Sequence, residues 1–202
     1  VNSVKNLLVD AIEHTTALDS GDIESAARLI FRTWQQGGTV ISCGNGGSAS
    51  TASHFAADLA KLTIVPGCPR LRTLCLNDNA SAFSAWTNDE GFDTVYTEQA
   101  EPWLDDKATL ISFSVHGGSR ATDASAVSSN LGKVAELAKS RGSSVIAVTG
   151  FDGGAAGDVA DAHINVPHFT EPVATPLIES LHVLIHHALC VGVRQLIQED
   201  AK

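Results

Sequence analysis

From Thr39 onward, short β-rich runs alternate with helical stretches, and no other feature limits the possible folds as much. The runs are TVISC (39–43), RLRTLCL (70–76), ATLISFS (108–114), SVIAVT (144–149) and HINVP (163–167). Helical periodicity fills the gaps: 48–62, roughly 80–101, 120–141, a short piece near 153–160, and a long segment from about 174 to 198. Strands alternating with helices predict a parallel sheet covered on both faces by its crossover helices. The expected fold is α/β: a doubly wound, five-stranded parallel sheet flanked by helices. No Pro/Ser-rich linker, repeat or low-complexity run interrupts the pattern. Residues 1–202 are therefore read as one domain, with an N-terminal helical extension (1–37) ahead of an α/β core (38–202).

The extension reads as two helices. Val4, Leu7, Leu8 and Ile12 share one face, and Ala26, Leu29, Ile30 and Trp34 another. Ser20 or Asp22 suits the N-cap of the second, and Gly37-Gly38 ends it. A helix placed before the first strand has no sheet face waiting for it, so oligomerisation through these helices is expected.

Charge and apolar run length exclude several partners. A formal charge of −10 leaves no electrostatic footprint for nucleic acid or an anionic membrane. The apolar run from Val183 to Val193 is broken by His186 and His187 and falls short of the roughly 18 residues of a membrane span. The acidic, amphipathic start VNSVKNLLVDAIEHT is unlike a secretory signal. Cys43, Cys68, Cys75 and Cys190 form no CxxC pair, which points to reduced thiols in a cytoplasmic protein.

In a doubly wound sheet the ligand sits beyond the carboxyl ends of the strands, at the switch point. The loop after the first strand is CGNGGSAS (43–50). Its glycines let a ligand approach the main chain, and the helix beginning near Ser48 turns free N–H groups toward the same space. GNGGSA also satisfies G-x-G-x-x-A, the dinucleotide fingerprint. However, two helices precede the strand, and the next strand's acidic end, Asn77-Asp78, lies more than thirty residues beyond Gly44. A dinucleotide site would place its acid at about twenty. The loop after the third strand, SFSVHGGSR (112–120), offers three hydroxyls, two glycines and a helix start, which suit a phosphate.

Two helices carry ligand-like side chains. His54 and Asp58 are four apart and share a face; Glu179, His182, His186 and His187 punctuate the apolar segment PLIESLHVLIHHALCVGV. Imidazoles and carboxylates together suit zinc or a related divalent ion.

CGNGGSAS, SHFAADL, NDNASAFSAWTNDEGFDTV, the serine-rich loop, VTGFDGG, INVP and IESLHVLIHH together resemble the sugar-isomerase (SIS) family, flavodoxin-like in fold. Within it the match is to the sedoheptulose-7-phosphate (phosphoheptose) isomerases. The resemblance implies that Asn45, Gly46, Gly47 and Ser48 bind the sugar phosphate, together with Asp78, Asn79, Ser112, Phe113, Ser114, Ser119 and Glu179. It implies a metal, Zn2+ or another divalent ion, held by His54, Asp58, Glu179 and His187, with Asp58, Glu179 and His187 catalytic. It also implies a homotetramer. Three departures stand out: the serine loop is longer by two residues and carries His116, Asp58 replaces a Glu, and Glu179 replaces a Gln. At about 100° per residue Glu179 aligns with His186, whereas the motif spacing selects His187.

The implied reaction is aldose–ketose isomerisation of sedoheptulose 7-phosphate to D-glycero-D-manno-heptose 7-phosphate through a metal-assisted enediol. The alternatives are an isomerase of another ketose phosphate, or a non-catalytic SIS module that binds a phosphosugar or a protein as a regulator.

Overall fold

The computed structural model describes residues 2–120, 127–166 and 173–202. Five strands, β1 (Thr39–Gly44), β2 (Arg72–Cys75), β3 (Thr109–Phe113), β4 (Ser144–Thr149) and β5 (Ala162–Asn165), form one parallel sheet in the order β2-β1-β3-β4-β5. All five expected strands are present, each within a residue or two of its expected limits. Pro167, the last residue of the fifth expected run, lies outside the described residues.

The helices are α1 (Asn2–Ala17), α2 (Ser20–Gln35), α3 (Gly47–Leu62), α4 (Ala80–Asp89), α5 (Val95–Ala100), α6 (Ser129–Ser140), α7 (Gly154–Val159) and α8 (Ala174–Asp200). Strand residues alternate between two buried faces, as parallel sheets covered on both sides require. Val40, Ile111, Phe113, Ile146 and Val148 pack with α2, α3 and α8, while Ile41, Cys43, Leu110, Val145 and Ala147 pack toward α5, α6 and α7.

Several local expectations are corrected. The stretch 80–101 is two helices, because the chain turns at Gly91 with φ of 93°, a left-handed value that ends α4. The helix expected from 120 begins at Ser129; residues 121–126 lie outside the described residues. The N-cap of α2 is Asp19, whose carboxylate accepts from the Gly21 N–H at 2.7 Å, rather than Ser20 or Asp22.

The second N-terminal helix also has a sheet-side seat, contrary to expectation. Ala26, Ala27 and Ile30 join the core beneath α8, and Thr33 shares a buried hydrogen bond of 2.6 Å with Thr109 of β3. Among the described residues, α1 keeps an exposed apolar stripe, with Val4, Leu8 and Ile12 each more than half exposed.

Helix α8 is the one described helix long and apolar enough to cross a membrane, an outcome that counting unbroken apolar runs missed. Half of its apolar window is buried inside the fold. Its buried positions recur every three or four residues from Ala174 to Ile197, so the apolarity serves packing, and the same repeat draws His182 and His186 inward.

Candidate functional site

The chain leaves β1 on one side for β2 and returns on the other for β3, so the carboxyl ends of β1 and β3 open side by side, with Gly44 paired to Phe113. The turn from β1 into α3 passes through Gly46 at φ 57° and ψ −125°, a conformation that a side chain would strain. The Ser48 N–H then donates to the Asn45 carbonyl at 3.0 Å and the Ala49 N–H to Gly46 at 3.1 Å, which closes the first turn of α3.

Against this turn lies a polar cavity of about 180 Å³, walled by Asn45, Ser48, Ser114, His116, Ser128 and Glu179 among others. Among the described residues, no lysine or arginine lines it. The Ser114 Oγ accepts from the Gly117 N–H at 3.0 Å, and the His116 ring packs on Phe151 with centroids 4.4 Å apart. A wider cleft of about 420 Å³ runs along α3 and α8, past Gly47, Thr51, His54, Ser180 and again Glu179. Glu179 therefore borders both spaces, and its carboxylate sits where a Cβ on Gly47 would otherwise be, 2.5 Å from that position.

One turn further along both helices four side chains converge. The Asp58 Oδ2 lies 3.2 Å from the His54 Nε2, 3.2 Å from the His187 Nε2 and 3.4 Å from the His186 Nε2. One ligand atom from each of the four residues lies within 4.8 Å of the others. Helical geometry explains the meeting: His54 and Asp58 are one turn apart on α3, and α8 packs alongside. Burial, then the neighbouring His187 and His54 rings, pushes the His186 imidazole down to about 4, so it is neutral at pH 7. Its Nδ1 has no hydrogen-bond partner.

The donor set fits a divalent ion. Three imidazoles and a carboxylate are ligands that Zn2+ takes, and a tetrahedral ion bound at roughly 2.1 Å spaces its donors by about 3.4 Å. The three distances from Asp58 match that spacing.

Not every residue expected at the site is gathered there. Asn45, Ser48, Ser114 and Glu179 meet at one cavity, with Gly46 and Gly47 forming the adjoining turn. His54, Asp58 and His187 meet at the ion-sized cluster, whose fourth member is His186 while Glu179 stands outside it. Ser112 and Phe113 are fully buried in β3; Phe113 packs on Phe55 with centroids 5.5 Å apart. Ser119 pairs through its Oγ with the backbone of Val127 and borders a separate cavity with Arg120, which grips Asp158 and Asp152. Asp78 and Asn79 line a third cavity with Ser53, Ala56 and Ala60 of α3; the Ser53 Oγ donates to Asp78 at 2.5 Å, and Asn79 caps α4. Ser128 and Thr175, which sequence reasoning passed over, enter the cavity from elements distant in the chain.

The SIS domain family profile matches residues 5–150, and the chain belongs to that family. Among its relatives, the lincomycin biosynthesis protein LmbN of Streptomyces lincolnensis is 71% identical over 192 residues, spanning 95% of this chain and 69% of that protein. The phosphoheptose isomerase of Bordetella avium is 33% identical over 186 residues, 91% of this chain and 87% of that one. Among solved structures, phosphoheptose isomerase GmhA from Neisseria gonorrhoeae superposes with a TM-score of 0.81 at 29% identity, covering 95% of this chain and 97% of that one.

Proposed function

We propose that this chain is a metal-assisted aldose–ketose isomerase that converts sedoheptulose 7-phosphate to D-glycero-D-manno-heptose 7-phosphate. The observation that carries the reading is the placement of Glu179, whose carboxylate borders both the small polar cavity and the cleft that holds His54. A phosphate held at the first places the sugar's reacting end toward the second.

In this reading the ligands of a divalent ion, Zn2+ by donor chemistry, are His54, Asp58, His186 and His187. When bound, the ion would supply positive charge that stabilises the developing enediolate electrostatically. Asp58 is engaged by three imidazoles, so Glu179 is the carboxylate free to accept the C1 proton and return it to C2 through the enediol. His187, whose side chain is 44% exposed, moves the proton between the two oxygens. The reaction is redox-neutral: one C–H bond breaks at C1, one forms at C2, and the oxygens exchange a proton. Ser48, Ser114 and the Asn45 amide orient the phosphate through neutral donors, which serves positioning rather than chemistry.

A second reading has its own support. The 71% identity to a lincomycin biosynthesis protein against 33% to phosphoheptose isomerases favours the same isomerisation on a different ketose phosphate. A homotetramer and a cytoplasmic location complete the proposal, supported by the exposed stripe of α1 and by four free cysteines.

The test is turnover of ketose phosphates of graded chain length, with sedoheptulose 7-phosphate included, before chelation, after it, and after zinc is restored. Zinc-restored activity on sedoheptulose 7-phosphate supports the first reading, and activity confined to another length supports the second. A metal-loaded protein inert on the whole series overturns both.

A further inference from the structure

The lengthened loop after β3 changes which side chains can grip an anion in the small polar cavity. Ser119 does not reach that cavity, because its Oγ pairs with the Val127 backbone at 2.7 and 3.1 Å. His116 and Ser128 stand in the wall instead. The starts of three helices open on the same space, marked by Ser48 in α3, Ser128 before α6 and Thr175 in α8. Helix starts and hydroxyls suit phosphate oxygens. Glu179 works against them: its carboxylate borders the cavity, and no lysine or arginine among the described residues offsets it there.

The backbone holds His116 in place. The Ser114 Oγ accepts from the Gly117 N–H at 3.0 Å, and the Val115 carbonyl accepts from the Gly150 N–H at 3.0 Å. The Gly117 and Gly118 carbonyls accept from the Ala156 and Ala155 N–H groups at 2.9 Å each. Gly117 and Gly118 permit this closeness, with φ of 71° and 84°, and a Cβ on Gly117 would strike the Gly153 carbonyl oxygen. The longer loop is thus a stitched turn with the exposed His116 side chain on it. One face of the imidazole lies on Phe151, with centroids 4.4 Å apart and planes tilted by 32°. Among the described residues no hydrogen bond engages either ring nitrogen of His116. A neutral or charged imidazole carries at least one N–H to give.

His116 also borders the cavity of about 300 Å³ that holds Arg120. That cavity is a poor anion site, since Asp152 and Asp158 both grip Arg120. The imidazole donor therefore serves an anion on the Glu179 side.

We propose that His116 is a phosphate-binding residue, donating an imidazole N–H from the wall of the small polar cavity to a phosphate oxygen of the substrate. The assignment rests on the sugar-phosphate reading and adds to it a contact supplied by the lengthened loop.

The test uses His116→Phe, which keeps a flat ring to lie on Phe151 and removes both ring nitrogens. A hydrogen bond from an exposed ring to a charged acceptor is worth about tenfold, so KM for sedoheptulose 7-phosphate should rise roughly tenfold, with the loss confined to KM. Isothermal titration with inorganic phosphate should show a matching fall in affinity, while Tm stays close to wild type. In proton–carbon spectra of the wild type, phosphate should move the imidazole C–H resonance that His116→Phe lacks. Unchanged phosphate affinity in the variant would overturn the assignment. So would a fall in kcat at constant KM, which would put the ring at the chemistry rather than at the phosphate. The two readings fail separately. A wild type that binds phosphate through His116 yet turns over no ketose phosphate loses the isomerase reading alone. Turnover of sedoheptulose 7-phosphate with the same KM in wild type and variant removes only the role of His116.

Discussion

Replacing Gly47 by alanine separates the position of the Glu179 carboxylate from the stability of the fold. A Cβ built there would lie 2.5 Å from the Glu179 Oε1 and 2.6 Å from its Cδ and Oε2, with no backbone atom among its nearest neighbours. Ordinary contact begins at 3.4 Å, so the carboxylate must retreat by about 1 Å, a misplacement that can cost on the order of 10²-fold in rate. The fold has little to lose, because the atoms that give way are the far end of a flexible side chain. Gly47 also opens α3 without a left-handed φ, so alanine gains up to about 0.5 kcal/mol of helix preference. The expected result is a Tm equal to or slightly above wild type, with kcat reduced about a hundredfold. Glu179→Gln, which keeps the shape and removes the basic carboxylate, should lose at least as much, in the range of about 10²–10⁴ for a general base. Steady-state kinetics beside thermal unfolding on the same preparations provides the check. Full activity in Gly47→Ala would refute the claim that the Glu179 position matters to the reaction. A loss above about 2 kcal/mol in stability would place the crowding in the core rather than in a movable carboxylate.

Three further outcomes are expected. His186→Ala and His187→Ala should each lower bound zinc, measured by atomic absorption after dialysis, and only His186→Ala, which empties a fully buried position, should also lower Tm; full zinc retention by His186→Ala would remove it from the ligand set. Thr33→Val strips a buried partner from the Thr109 hydroxyl and should cost about 1–3 kcal/mol in denaturant unfolding, and Thr33→Val/Thr109→Val should recover part of it; a neutral single variant would show that the pair is dispensable. Burial pushes the Cys190 thiol up to about 12, so its reactive thiolate is roughly one part in ten thousand at pH 8. Mass spectrometry should find iodoacetamide on half-buried Cys68 well before Cys190 in the folded protein, and equal rates would contradict the packing of α8.

The order and identity of the elements were legible because each rests on local chemistry. β-Branched runs such as SVIAVT cannot sit in a helix face with the required period, and the apolar repeat of α8 cannot make a strand. Less legible were the points where a single residue ends an element. Gly91 divides one expected helix into two through its left-handed φ, and Asp19 displaces Ser20 as the cap by reaching the Gly21 N–H. Those are contests between conformations of nearly equal energy, and nearby packing settles them.

The candidate site divides the same way. The helical wheel favoured His186 and the motif spacing favoured His187; the structure brings both to Asp58, because adjoining faces of α8 both lie within reach of one carboxylate on α3. The departure of Ser112 and Ser119 from the cavity had no local signal, since a hydroxyl in sequence carries no mark of the face it takes. His54 and Asp58 were paired by spacing alone, four residues on one helix. The sequence by itself determined which residue types were available and which shared an element's face, because backbone periodicity is local. Which faces meet, and therefore that Glu179 leaves the ion-sized cluster for the neighbouring cavity while His186 joins it, was decided by how α3 and α8 pack, a property of long-range contacts that no short stretch encodes.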